Sequence, residues 1–157
     1  MNRFVIAVLL VIVFTLGYLS AGPAASAITS GIDNKAIERD SPQDHVSENQ
    51  INIAQDKVTL NIENTSWLTF TDTNSMDPII DTGANAIQIK PKTIDDIKTG
   101  DIITYYSDYG LIIHRVERTD YDENGWYVIA KGDNNPIPDL QKIRFNRIQG
   151  VVVAIIY

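Results

Sequence analysis

The chain has 157 residues, enough for one modest domain, and its 20 acidic side chains exceed its 13 Lys and Arg to give a net charge of -7. An acidic chain lacks the clustered basic residues that nucleic acids require, which excludes nucleic acid as an expected partner. With no cysteine and two histidines, the sequence excludes disulfides, iron–sulfur clusters and a thiol nucleophile, and we expect neither a metal nor a cofactor.

The N-terminal segment has the character of a membrane anchor. Arg3 precedes eighteen mostly apolar residues, 4–21, and that length lies within the range of about 17–25 residues for a membrane-spanning helix. A cleaved signal peptide is the alternative, with Ala25-Ser26-Ala27 as its cleavage site. Both readings leave Arg3 in the cytoplasm. We predict an anchor (or signal peptide) over 1–21, in a single-pass protein of the cell membrane whose remaining residues are extracytoplasmic.

Residues 22–56 are rich in Ser, Ala, Asp, Asn and Gln and show little periodicity, which predicts a flexible acidic linker. His45 lies in this segment, where nothing nearby in the sequence fixes a geometry for catalysis or metal binding. The sequence Asn64-Thr65-Ser66 matches an N-glycosylation sequon, a motif too short to establish glycosylation.

Residues 57–157 alternate short apolar runs with turn signals, the pattern of a mostly β domain. Val, Ile, Tyr, Phe, Trp and Thr dominate the runs, as strand interiors prefer. The spacing predicts a small antiparallel β-barrel or folded sheet, with a helical turn only in "PKTIDDIKTG". The predicted strands lie in "KVTLNIE", "SWLTFTD", "NAIQIKP", "GDIITYYS", "GLIIHRVERT", "GWYVIAKGD" and "IRFNRIQGVVVAIIY".

Two side chains in this domain could form a nucleophile and its base. Ser75 lies in the turn "TNSMDPII", and a serine hydroxyl needs a base to remove its proton; many turn serines only bond their own backbone. His114 lies in "LIIHRVE", where two-residue periodicity places it on one face with Ile112 and Val116. A histidine there is usually a packed residue, but it is also the only imidazole base of the domain.

A third segment, "AKGDNNPIPD", supplies carboxylates. Either Asp133 or Asp139 could orient His114 and stabilise its protonated form, although Gly, Asp and Asn also occur together simply because they form turns. A lysine with a lowered pKa is the other base that serine proteases use. The lysines near these motifs are Lys90, Lys92, Lys98 and Lys131.

The blocks "NSMDP", "GDII", "HRV" and "KGDNN", followed by an Asp six residues after the first, resemble type I signal peptidases over about residues 66–157. The resemblance is to the archaeal and endoplasmic-reticulum branch, which has Ser-Met-x-Pro around its nucleophile and His where bacterial enzymes have Lys. It implies that Ser75 is the nucleophile and His114 the general base. Asp139 matches the triad carboxylate and Asp133 a nearby supporting acid, without deciding their division of labour.

The chain departs from the family pattern at two places. Thr73-Asn74 stands where Ser-Gly usually precedes Ser-Met, and Gly83-Ala84 stands where Gly-Asp often follows. Asn74 keeps a backbone donor but has less conformational freedom than glycine. These departures bear on catalytic rate more than on the class of enzyme.

The resemblance implies a membrane-bound serine endopeptidase that cleaves signal peptides from secreted preproteins after small residues of the Ala-x-Ala type. Its partners would be preproteins and the lipid bilayer, with accessory subunits unspecified. A specialised processing protease of the same family and a non-enzymatic, tethered β-rich binding module are the alternatives. Four apolar side chains are candidates for the substrate pocket or the membrane-facing surface: Trp67, Leu68, Phe70 and Met76. The alternative is that they belong to the ordinary core.

Overall fold

The computed structural model describes residues 38–157, so the anchor predicted over 1–21 lies outside the described residues. Residues Arg39–Tyr157 form one compact unit. Within the part of the chain that is described, no helix combines the length and apolar character needed to cross a bilayer.

Eight strands make up most of the regular structure, which confirms the prediction of a mostly β domain. The seven predicted runs correspond to β2 to β8, because each combines β-branched or aromatic residues with a flanking turn signal; β3 begins one residue before its run, and β6 extends three residues beyond its run. The strands are β1 (Ile51–Ile53), β2 (Val58–Leu60), β3 (Thr65–Thr69), β4 (Asn85–Ile89), β5 (Ile102–Ser107), β6 (Gly110–Asp122), β7 (Gly125–Lys131) and β8 (Ile148–Ile156). Short 3₁₀ helices lie at Glu48–Gln50, Ile94–Asp96 and Phe145–Arg147, the second within the predicted helical turn.

The main sheet has the strand order β3-β4-β8-β5-β6-β7, and every neighbouring pair is antiparallel. The order leaves β3 and β7 as edges, so the described sheet is open, as in the folded-sheet version of the prediction. β1 and β2 form a separate two-stranded sheet. The β6–β7 hairpin turns at Gly125, whose φ of +99° favours glycine over other residues.

The main sheet buries apolar side chains on both faces. Adjacent residues of a strand point to opposite faces, and the two core clusters divide accordingly: Ile103 and Val151 belong to one, Ile102 and Val152 to the other. A strand buried on both faces is continuously apolar, which explains the run "VVVAII" in β8. The sheet can therefore place functional side chains on either face without leaving the core.

The structure differs from the predicted linker over residues 39–56. This segment forms β1, which pairs with β2, and its Gln43 and His45 bond to the buried Asp101. Two of its polar side chains, Gln43 and His45, bond to a buried carboxylate far away in the sequence, a relation that composition and periodicity do not reveal. The compact unit accordingly includes residues that the sequence assigns to a linker.

Candidate active site

The turn that carries Ser75 lies between β3 and β4 and is held by its neighbours. Met76 is 2% exposed and packs in one core cluster with Ile80, while its carbonyl accepts hydrogen bonds from Ile79 N and Ile80 N at 3.1 and 3.0 Å. Asn74 adopts φ +55°, a left-handed conformation that Asn tolerates better than most residues. The buried methionine thus fixes the turn, and Ser75 beside it lines a cavity.

Thr73, in the same turn, also contacts Ser75. In the sequence it was noted only as a departure from the family pattern. Its Oγ1 lies 3.3 Å from Ser75 Oγ, and either hydroxyl can donate the hydrogen bond. The threonine therefore keeps a hydroxyl next to the serine. The only signal in the sequence was its spacing of two residues from Ser75.

His114 lies on β6 directly opposite Ile103 of β5 and is 6% exposed. Its Nδ1 donates a hydrogen bond to Asp139 Oδ2 at 2.7 Å. A carboxylate at Nδ1 fixes that nitrogen as the protonated one in the neutral ring, which leaves Nε2 free to accept a proton. The Asp139 backbone is itself anchored, because its N–H donates to Ala130 O on β7 at 2.8 Å.

Tyr105, on β5, supports the same carboxylate and was not expected from the sequence. Its hydroxyl donates to Asp139 Oδ2 at 2.5 Å. Burial raises the pKa of Tyr105 far above its usual value, and the bond to Asp139 adds to the effect, so the hydroxyl stays a donor. Burial alone would raise the pKa of Asp139, but hydrogen bonds from His114 and Tyr105 outweigh it and lower that pKa. Asp139 is therefore ionised at neutral pH.

Asp133 has other partners. It is 4% exposed, and its two carboxylate oxygens accept hydrogen bonds from Arg115 Nε and Nη2, both at 2.8 Å. Such a bidentate pair fixes the guanidinium and the carboxylate together. Thus Asp139 bonds to His114, and Asp133 bonds to Arg115, the next residue of β6.

The loop after β7 packs directly against the turn that carries Ser75. Asn134 N donates to Ser75 O, and Asn134 Nδ2 donates to Asn74 O, each at 3.0 Å. A Cβ at Gly132 would lie 2.5 Å from Ser75 O, a clash that explains the glycine in "KGDNN". Backbone contact between these loops therefore sets the position of Ser75.

One cavity of about 370 Å³ is lined by Ser75, His114 and Thr73, with apolar walls that include Leu68 and Phe70. Within the described residues, no hydrogen bond joins Ser75 Oγ to His114; the serine hydroxyl contacts Thr73 instead. Of the apolar side chains singled out from the sequence, Met76 also lines the cavity, whereas Trp67 does not and is 57% exposed. The four lysines considered as bases do not line it.

No group of three or more His, Asp and Glu side chains converges as a metal site anywhere in residues 38–157. Comparisons with known protein families, with curated proteins and with solved structures found no match to this chain. The assignment of a function therefore depends on the residues and geometry of the cavity.

Proposed function

We propose that this chain is a membrane-anchored serine endopeptidase of the type I signal peptidase kind, archaeal and endoplasmic-reticulum branch, which removes signal peptides from preproteins after small residues. The observation that carries the proposal is the hydrogen bond between His114 Nδ1 and Asp139 Oδ2, 2.7 Å long, at a cavity that Ser75 also lines. A buried imidazole with an ionised carboxylate behind it is the arrangement that serine hydrolases use to activate a hydroxyl. Asp133, paired with Arg115, acts as the supporting acid.

In the first step His114 Nε2 takes the Ser75 proton while Ser75 Oγ attacks the scissile carbonyl carbon. Catalytic hydrogen bonds are often long before substrate binds and shorten in the complex, so the serine hydroxyl has to leave Thr73 Oγ1 for the histidine. The negative charge that develops on the carbonyl oxygen needs donors, each worth about 2.7–4 kcal/mol. The backbone N–H of Ser75 and the hydroxyl of Thr73, whose Oγ1 lies 3.3 Å from Ser75 Oγ, would serve as these donors.

In the second step the protonated His114 gives its proton to the leaving amine, and the peptide bond breaks to form an acyl-enzyme on Ser75. Water then attacks the ester, His114 again accepts the proton, and the released serine recovers it. Asp139 stays ionised throughout and stabilises the charged imidazole. Every step uses groups of this chain or a water molecule.

The substrate would bind in extended form along an edge of the sheet, with backbone paired to backbone. Strand side chains alternate between faces, so two positions separated by one residue would enter the cavity between Leu68 and Phe70, which selects small residues of the Ala-x-Ala kind. An anchor at 1–21, with the catalytic domain on the extracytoplasmic side, would hold enzyme and preprotein in one bilayer. Their effective concentration would then reach about the millimolar range.

The alternatives receive less support. A specialised processing protease of the same family would use the same chemistry on fewer clients. A tethered binding module does not require a buried His–Asp pair beside a serine. A lysine base would have to lie at the cavity, and none of the four candidate lysines lines it.

The proposal is tested by comparing the wild-type protein and the Ser75→Ala variant on an Ala-x-Ala preprotein in detergent.

Replacing Tyr105 by phenylalanine removes one hydroxyl from Asp139 and keeps the buried ring. A single hydrogen bond to a charged group contributes about 1.5–3 kcal/mol, so we expect kcat/KM to fall about 10- to 100-fold. Tyr106→Phe is the matched control, because Tyr106 is the next residue of β5 and is 53% exposed. Equal activity of Tyr105→Phe and wild type would show that Asp139 needs no support from the tyrosine.

Activity should fall as the solution is acidified, because catalysis needs the neutral form of His114 to accept the Ser75 proton. The lowered pKa of Asp139 keeps that carboxylate charged at neutral pH, so the loss should come from the base and not from Asp139. The measurement is kcat/KM between pH 5 and 9. His45→Gln should leave the midpoint unchanged, since His45 bonds to Asp101 and does not line the cavity. A rate independent of pH would argue against a histidine base.

A further inference from the structure

The segment that enters the compact unit, residues 39–45, lies against the sheet and is called the strap here. It bonds to two separate stretches of the chain, one at the start of β5 and one in the loop after β7. The sequence predicts a flexible linker over these residues. The proposed mechanism assigns no role to the hydrogen bonds that the strap makes.

The strap is fixed at Asp101, which is fully buried. The Asp101 carboxylate accepts hydrogen bonds from Gln43 N at 2.9 Å, Gln43 Nε2 at 3.1 Å, His45 Nε2 at 3.1 Å and Lys98 N at 2.8 Å. Burial acts to raise the pKa of Asp101, but these hydrogen bonds together outweigh it and lower that pKa. A buried carboxylate needs such partners, so removing the strap would leave it undersatisfied.

The neighbouring glycine makes room for the strap. A Cβ at Gly100 would collide with the backbone carbonyl of Ser41, and the φ of +96° at Gly100 also favours glycine. The "GD" pair that precedes β5 thus serves the strap at both positions: Gly100 lets the backbone approach, and Asp101 bonds to it.

The other end of the strap reaches the catalytic loops. Arg39 Nη2 donates to Asp133 O at 2.6 Å, and the Arg39 side chain is 37% exposed. The residue after Asp133 donates its N–H to Ser75 O, and Asp133 N donates to Met76 Sδ at 3.4 Å. Arg39 is therefore one hydrogen-bonded residue away from the turn that carries the nucleophile.

We propose that Arg39 is a positioning residue: the strap, fixed at Asp101, uses Arg39 to hold the 132–135 loop and through it the backbone of Ser75. The inference rests on the proposed function, because its consequence for rate requires Ser75 to react. Arg39 does not line the cavity, so its loss acts on the placement of the nucleophile and not on substrate contacts. A small displacement of a reacting atom is enough to lower the rate substantially.

The test is Arg39→Met in the full-length protein, with an Ala-x-Ala preprotein in detergent as substrate. We expect kcat to fall about tenfold, equivalent to about 1.4 kcal/mol, KM to stay within about twofold, and the amide of Asn134 to exchange hydrogen faster. Arg39→Lys keeps a cationic donor and should recover most of kcat. Arg118→Met is the control, since Arg118 is an exposed arginine on β6, and it should leave all three measurements unchanged.

The outcomes separate the two proposals. An unchanged kcat and unchanged Asn134 exchange in Arg39→Met, with an active wild type, would overturn the positioning role. An equal loss of kcat in Arg118→Met would overturn it as well. If the wild type cleaves no preprotein but Asn134 exchanges faster in Arg39→Met, the proposed protease function fails while the link between strap and loop stands.

Discussion

Replacing Ser75 by alanine should lower kcat for preprotein cleavage by at least about 10⁴-fold, because removing the nucleophile of a serine hydrolase leaves only binding and oxyanion stabilisation. Among the described residues, the hydrogen bond of Ser75 Oγ is with the Thr73 hydroxyl, at an exposed site, so the free energy of unfolding should change by about 0.5 kcal/mol or less. The measurement is single-turnover cleavage of an Ala-x-Ala preprotein in detergent, with the product mass determined to locate the cut.

The matched control is Ser66→Ala, since Ser66 is an exposed serine on β3 that does not line the cavity. It should cleave like the wild type. Equal cleavage by Ser75→Ala and wild type would refute the serine mechanism. An absence of cleavage by both proteins would favour the tethered binding module or a requirement for a partner subunit.

The strands were predictable from sequence because their signals are local. Gly125 marks the β6–β7 hairpin through the sequence Asn-Gly, and β-branched residues fill β5 and β8. These local signals could not distinguish a closed barrel from an open sheet, because strand order depends on which distant strands pair. The placement of β8 between β4 and β5 leaves no mark in any single run of residues.

Ser75, His114 and the loop of Asp133 and Asp139 could be proposed from sequence, but the roles of the two acids could not. The alternation of side chains along β6 explains why the two acids have different partners. His114 and Arg115 are adjacent and so point to opposite faces, and each takes one carboxylate: Asp139 for the histidine and Asp133 for the arginine. The two carboxylates therefore meet side chains that point to opposite faces of the sheet.

Two hydrogen-bond donors to buried carboxylates, one at the site and one in the strap, were missed because their partners are distant in sequence. Tyr105 precedes Asp139 by 34 residues, and Gln43 precedes Asp101 by 58. A tyrosine in an apolar strand and a glutamine in a polar segment are unremarkable by composition. Their importance follows from the burial of a carboxylate at each place, which is a property of the folded chain.

The contrast between Asp139→Asn and Asp133→Asn tests the division of roles. Asp139→Asn removes the charge that stabilises the protonated His114, so kcat/KM should fall about 10³- to 10⁴-fold. Asp133→Asn weakens a buried pair with Arg115, whose side chain is 11% exposed, and should lower the free energy of unfolding by about 3 kcal/mol. Urea unfolding and cleavage assays at low temperature separate the two effects, because the folded fraction of Asp133→Asn should retain far more activity. If instead folded Asp133→Asn is the inactive variant and Asp139→Asn cleaves normally, Asp133 orients the base and the contacts of His114 have been assigned the wrong role.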